Sequence, residues 1–448
     1  MKISKVEVIK LFGFYNYSIE FFDTITIIHG PNGCGKTTML KIIDAVFNKN
    51  IQNIITTDFE SVKFFFSNDS ILSVDRKKRY LYEEKKDTPI IYFVYTIDDG
   101  ENKTIFDAFE NSEDIMTSIK SVLRTYRPLP YLQRINAERW FDRKHQVNLS
   151  TDDVIQQYGY ALYQRYGQEI IGEDFPKEVQ SIIDSVNVRL ISADRLTVRT
   201  ENENNYGEPD IKIEQRVSII ANDVSKKIKD AIQKYAQLSQ AKDRTFPLRA
   251  IRQTSSMTVE EIKEKMLDLE TKRKEFIETG ILEEEKDSIN IHDLLEAITE
   301  ENRQYLSLYA IDTEEKLNAL SGLSSSINLF RKLIEKKFKM KEIVFNKDTG
   351  FNFKTKYSDA IIKPQFLSSG EQHEIVMLYD LIFNTSNDTL ILIDEPELSL
   401  HIEWQINYVD ELLDIIKNAG FYSVLATHSP QIINDNWDLT IALENITE

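Results

Sequence analysis

GPNGCGKTT, residues Gly30 to Thr38, fits the pattern G-x-x-x-x-G-K-[ST] through Gly30, Gly35, Lys36 and Thr37. A β-branched run, DTITIIHG, leads directly into it. KTTMLKIIDAVF follows, with Met39, Leu40, Ile43 and Phe47 at helical spacing. Strand, glycine loop and helix in that order are what a phosphate cradle requires. The backbone N–H groups of the loop, those of Asn32, Gly33 and Cys34 included, can turn inward around a β-phosphate, and the helix N-terminus adds partial positive charge. Lys36 is placed to reach the β- and γ-phosphates, and the Thr37 hydroxyl to ligate Mg²⁺, with Thr38 beside it in the first helical turn. Only 14 glycines occur in the chain, so composition does not account for the match. Cys34 contributes its backbone; its thiol is incidental.

Two further apolar runs end in reactive groups. TLILIDEPELSLH, Thr389 to His401, predicts a buried parallel strand delivering Asp394 and Glu395 at its C-terminal end, where ligands bind in α/β sheets. Asp394 can then hold Mg²⁺, directly or through water, while Glu395 orients and deprotonates the water that attacks a γ-phosphate. SVLATHSPQI, Ser423 to Ile432, predicts another such strand, ending at His428. Alone, that histidine reads as a core or surface residue; beside the other two motifs it reads as a donor to the γ-phosphate or a guide for the lytic water.

Between these motifs the chain changes character. Residues 60 to 100 predict three short antiparallel strands, and residues 105 to 186 are mostly helical in pattern, broken by RPLP at Arg127 to Pro130. TENENNYGEPD, Thr200 to Asp210, reads as a polar loop. Residues 212 to about 340 are charged and helical; Val259, Ile262, Met266, Leu269, Arg273 and Phe276 form a heptad-like seam that predicts a short helical hairpin or ordinary helix packing. KEIVFNKDTGFNFKTKY predicts a hairpin turning at Asp348 to Gly350.

Composition bounds the class. A chain of 448 residues, 41% hydrophobic and 29% charged, suits a soluble globular protein. No apolar run is long enough to span a membrane and the N-terminus does not read as a secretory signal, so a cytoplasmic address is expected. One cysteine excludes an internal disulfide and a cysteine-based zinc cluster. With 55 basic and 73 acidic residues the formal net charge is −18, which opposes broad attraction to nucleic acid or anionic lipid. A local exception is RTYRPLPYLQRINAERWFDRK, Arg124 to Lys144, where Arg and Lys interleave with Tyr126, Tyr131, Trp140 and Phe141. It reads either as a nucleic-acid groove or as a solvated helix face with aromatic anchors.

In order, GPNGCGKTT, LSSGEQ (Leu367 to Gln372), ILIDEPELSLH and ATHSPQ resemble the ATP-binding cassette (ABC) ATPases, in the branch with SMC and RecF-like proteins. The resemblance implies an α/β fold: an ABC-type P-loop ATPase head, with a mixed sheet, helices and an antiparallel β subdomain, interrupted by a helical insertion. Residues 1–198 would form the N-terminal part of the head and 199–339 the insertion. Residues 340–448 would form the C-terminal part, with signature, Walker B, D-loop and H-loop. It further implies that Ser368, Ser369, Gly370 and Glu371 bind the γ-phosphate of ATP held by a second, head-to-tail subunit. Ser369 replaces one of the family's paired glycines, and Glu371 stands where transporters often carry Gln.

LSSGEQHEIVMLYDLIF, LILIDEPELSLHIEWQ and ATHSPQIINDNWDL are similar to the AAA-family ATPases of the bacterial PARIS and Septu anti-phage systems. That likeness would place the Mg²⁺-sensing position at Asp194 in ISADRL, a carboxylate in place of glutamine; pairing with Arg195 is the other reading. The expected function is an ATP-hydrolysing sensor and scaffold, a homodimer or higher homo-oligomer around Mg-ATP. The chain ends soon after His428 and shows no histidine cluster, so the nucleolytic step is assigned to a separate TOPRIM or HNH effector, released by DNA or another phage-derived trigger. The alternative is a RecF/SMC-like ATPase that binds DNA in repair or recombination.

Overall fold

The computed structural model describes residues 1–79, 90–107, 112–125, 129–171, 177–203, 209–252, 257–284 and 291–444. The chain forms two compact units. The first comprises Met1–Ala193, Ser386–Glu397 and Gln405–Glu448; the second comprises Asp194–Thr385 and Leu398–Trp404.

The first unit is built on a five-stranded parallel sheet in the order Val188–Ile191, Leu390–Asp394, Tyr422–Thr427, Ile25–His29, Thr440–Ala442. Every residue of Leu390–Asp394 and of Tyr422–Thr427 is buried. Strands covered on both faces have no solvent side, and for that reason their sequences run continuously apolar instead of alternating. The helix Lys36–Phe47 buries Met39, Leu40, Ile42, Ile43, Val46 and Phe47 and packs on this sheet.

A six-stranded antiparallel sheet adjoins it, ordered Tyr15–Glu20, Ile3–Leu11, Ser61–Phe66, Ile71–Arg79, Ile90–Asp98, Lys103–Asp107. Phe47 meets Phe64 edge-on at 5.0 Å, and the Ile3 N–H donates to the Tyr422 hydroxyl at 3.2 Å, so one core serves both sheets. The strands expected between residues 60 and 100 are present.

The stretch from 105 to 186 departs from its expected helical character. Helices Ser112–Thr125, Thr151–Ile171 and Lys177–Asp184 are there, but Leu132–Arg134, Arg139–Asp142 and Val147–Ser150 form a small antiparallel sheet. Two side chains shape its turns. Asn136 Oδ1 accepts the N–H groups of Glu138 and Arg139 at 3.0 and 2.9 Å, and the wholly buried Asp142 accepts that of Lys144 at 2.8 Å. Such Asx turns compete with helix through local side-chain bonds, which residue periodicity does not register.

The second unit is mostly helical. Arg216–Arg252 and Arg303–Lys337 have 37 and 35 residues, about 55 Å each at 1.5 Å per residue, and pack along one another. Val259–Glu278 lies on Arg303–Lys337 and buries Ile262, Met266, Leu269 and Phe276, so the seam is ordinary helix packing. The hairpin expected at Asp348–Gly350 forms between Lys341–Asn346 and Gly350–Thr355, with Ser358–Ile362 as third strand. Helix Ser369–Phe383 follows, buried without interruption from Gln372 to Leu381. Among the described residues, no helix is long and apolar enough to cross a membrane.

Candidate nucleotide site

In the first unit, the loop Gly30–Gly35 joins strand Ile25–His29 to helix Lys36–Phe47. Gly33 and Gly35 take φ of +83° and +97°, and a Cβ on Gly35 would lie 2.6 Å from the Leu11 side chain, so that turn admits only glycine. No side chain caps the helix, which leaves the first-turn N–H groups of Lys36, Thr37 and Thr38 without a side-chain acceptor. That is the arrangement an anion completes. The Lys36 ammonium donates to the carbonyls of Gly30 and Pro31 at 2.8 and 3.0 Å and is folded over the loop it would share with a phosphate.

The hydroxyl of the buried Tyr17 donates to the Cys34 carbonyl at 2.8 Å and pins the loop from below. Burial, reinforced by Cys34 and Tyr15, pushes that phenol up to about 12, so it stays a donor at any physiological pH. Nothing in the sequence marked Tyr17, because the contact joins a hairpin strand to a loop elsewhere in the chain.

Strand Leu390–Asp394 brings Asp394 to the same place: Thr37 Oγ1 donates to Asp394 Oδ1 at 2.8 Å. Burial raises the Asp394 pKa; the Thr37 hydrogen bond opposes that, and Glu395 and Glu397 reinforce it. A hydroxyl and a carboxylate, both hard oxygen donors, fit Mg²⁺, which keeps waters and substrate oxygens for its remaining positions. Among the described residues, no group of three or more His, Cys, Asp or Glu side chains could hold a metal by itself.

Glu395 is half-buried and has φ of +44°, a left-handed conformation rare outside glycine, with its N–H bonded to the Ala426 carbonyl at 2.9 Å. Strain of this kind persists where surroundings impose it, and it collects at reactive sites. His428 directly follows the neighbouring strand Tyr422–Thr427, 46% exposed at its side chain, with Nδ1 3.0 Å from Glu397 Oε1. Glu397 was not singled out from the sequence.

In the second unit, Ser368–Glu371 opens helix Ser369–Phe383 with a capping box. Ser368 Oγ accepts the Glu371 N–H at 3.4 Å, and Glu371 Oε2 accepts the Ser368 N–H at 3.0 Å. The S-x-x-E spacing was a readable signal for that helix start. Lys341 pairs with Glu371 at 2.5 Å, and the loop faces an open concavity of about 640 Å³ with Lys337, Lys339 and Trp404 on its walls. A Cβ on Gly370 would stand 2.5 Å from the Ser399 carbonyl oxygen, so the helix start and the segment after Leu398 touch through glycine.

Asp194 is exposed and its charge acts on His373, while Arg195, 1% exposed, donates from Nε to His373 Nδ1 at 3.0 Å. In the basic stretch, Tyr126 and Arg127 lie outside the described residues. Trp140 is 2% exposed, with Arg134 over its ring at 5.7 Å, and Arg143 donates to Gln133.

Residues 1–433 match the family model described as AAA ATPase domain. No curated protein matches the chain. Among solved structures, the Smc head domain with an extended coiled coil bound to the C-terminal domain of ScpA, from Pyrococcus furiosus, is similar at 12% identity and a TM-score of 0.36, over 99% of this chain and 94% of that one. The SmcHead bound to the C-winged helix domain of ScpA is similar at 9% and 0.35, over 97% and 92%.

Proposed function

The chain belongs to the AAA ATPase domain family and has the mixed α/β fold of a P-loop ATPase head, and from that premise we propose that it binds Mg-ATP at Gly30–Thr38 and hydrolyses it with Glu395 as general base. Thr37 and Asp394 would hold the magnesium ion, which supplies charge compensation on the β- and γ-phosphates. Lys36 exchanges the Gly30 and Pro31 carbonyls for phosphate oxygens, Glu395 takes a proton from the attacking water, and His428 contacts the γ-phosphate.

The observation that carries this reading is the Thr37–Asp394 hydrogen bond beside the uncapped helix start. The second loop extends it. Ser368–Glu371 brings serine hydroxyls to an open concavity, and it would reach the γ-phosphate of a nucleotide held by another copy of the chain by exchanging the partners it has now: the Glu371 carboxylate that caps the helix start, and the Glu374 and Glu403 carboxylates that pair with Lys337 and Lys339. ATP that binds the closed pair more tightly than the open chains then acts as a switch. In that role the protein is a sensor and scaffold of an anti-phage system, controlling a separate nuclease effector. A RecF/SMC-like ATPase that binds DNA in repair is the alternative reading; the buried Trp140 offers no open face for stacking single-stranded bases, and duplex binding does not call for one.

The test is Glu395→Gln. The variant should bind ATP, cease turnover and accumulate as an ATP-dependent dimer in size-exclusion chromatography with light scattering. Hydrolysis at the wild-type rate would remove Glu395 from the base role. Phage challenge of cells carrying the gene with its neighbours, wild type against this variant, addresses the defence role.

A further inference from the structure

Glu397 stands two residues beyond the candidate base, is 9% exposed, and gathers the end of the neighbouring strand around one oxygen. Its Oε1 accepts the Thr427 hydroxyl at 2.8 Å and the His428 backbone N–H at 3.0 Å, while His428 Nδ1 lies 3.0 Å from the same atom. The Ser429 N–H in turn donates to Thr427 Oγ1 at 3.0 Å, which fixes the hydroxyl that Glu397 engages. Glu397 Oε2 is buried and has no hydrogen-bond partner among the described residues. A buried carboxylate used on one oxygen alone is a poor stability device, because the orphaned oxygen bears its desolvation cost uncompensated.

We infer that Glu397 is a positioning residue for ATP hydrolysis, holding the Thr427–His428 strand end and the His428 imidazole so that the ring presents its other nitrogen, Nε2, to the γ-phosphate. A carboxylate oxygen only accepts, so its closeness to Nδ1 favours the proton there and leaves the exposed part of the ring for the substrate. The Thr427 hydroxyl, the His428 backbone N–H and the approach to the ring together restrict both the position of the histidine and its rotation. A carboxylate behind a metal-bound imidazole sets tautomer and orientation in the same way. The inference rests on the ATPase reading of the site, in which His428 contacts the γ-phosphate.

Glu397→Gln keeps the shape and an acceptor for the Thr427 hydroxyl and the His428 N–H but removes the charge beside Nδ1. In the full-length protein kcat should fall roughly 10–100-fold, with KM for ATP within about threefold of wild type. Thr427→Val, which removes one donor and leaves the carboxylate, should lower kcat less. The Glu397→Gln/His428→Ala double variant should be no slower than His428→Ala alone, since Glu397 acts through the ring. The ¹⁵N resonances of His428, read in histidine-labelled protein without nucleotide, should move in Glu397→Gln. Unmoved resonances, or a double variant slower than His428→Ala, with Glu395-dependent hydrolysis intact, would overturn the role of Glu397 alone. Wild-type protein that does not hydrolyse ATP, or Glu395→Gln turning over at the wild-type rate, would overturn the reading of the site and this role with it.

Discussion

Thr37 and Asp394, 357 residues apart in the chain, share a 2.8 Å hydrogen bond that ties the start of the phosphate-loop helix to the end of the central strand Leu390–Asp394. The contact assembles the candidate magnesium site before any nucleotide arrives. Burial raises the Asp394 pKa above its unfolded value, so the folded state binds the extra proton and stability declines as pH rises through that window. Asp394→Asn does not titrate and keeps an oxygen for Thr37. It should stabilise the nucleotide-free protein at neutral pH while losing most of the added stability that Mg-ATP confers. Thermal melts with and without Mg-ATP check both halves. An undiminished Mg-ATP shift in the variant excludes Asp394 from the metal site.

Lys36 is expected to serve ATP as it now serves the loop carbonyls. Replacing it by alanine removes charge-assisted hydrogen bonds of about 1.5–3 kcal/mol in total, a loss of roughly 10- to 150-fold in nucleotide affinity. Fluorescent-nucleotide titration measures this, and an unchanged Kd contradicts the cradle reading.

Gly370→Ala places a methyl group where only 2.5 Å separates it from the Ser399 carbonyl oxygen. The clash should cost about 1–3 kcal/mol locally and shift the start of helix Ser369–Phe383. ATP binding by the single chain should survive, while ATP-dependent dimerisation and hydrolysis disappear. Loss of monomer binding instead would assign this loop to the chain's own nucleotide.

His373 supplies a pH signature. Burial, and then the neighbouring Arg195 guanidinium, lower its pKa from 6.5 to about 4. Between those values the unfolded chain binds the proton and the folded chain does not, so stability falls as pH drops from 6.5 towards 4, by up to about 3 kcal/mol. His373→Gln, which keeps an acceptor for Arg195, should flatten that slope. Denaturant midpoints between pH 7 and pH 4.5 provide the comparison, and parallel curves for the two proteins refute a buried neutral imidazole.

Much of this was legible before folding. The phosphate loop, the strands ending at Asp394 and Thr427, and the Asp348–Gly350 hairpin were readable because each depends on local rules: a glycine where φ is positive, an unbroken apolar run where both faces are covered, a turn where polar residues cluster. The sheet at Leu132–Ser150 was missed for the converse reason, since charged residues at helical spacing concealed the Asx turns of Asn136 and Asp142.

The chain alone therefore determined which chemical groups it carries and the order of strand, loop and helix around them. Tertiary structure alone decided which groups meet: Thr37 with Asp394, Tyr17 with the Cys34 carbonyl, and Glu397 with the strand end at His428. In the sequence Glu397 is one more acidic residue after an apolar run. It becomes a buried acceptor because parallel pairing sets the end of Leu390–Asp394 beside the end of Tyr422–Thr427, and such pairing depends on long-range burial that no local pattern encodes.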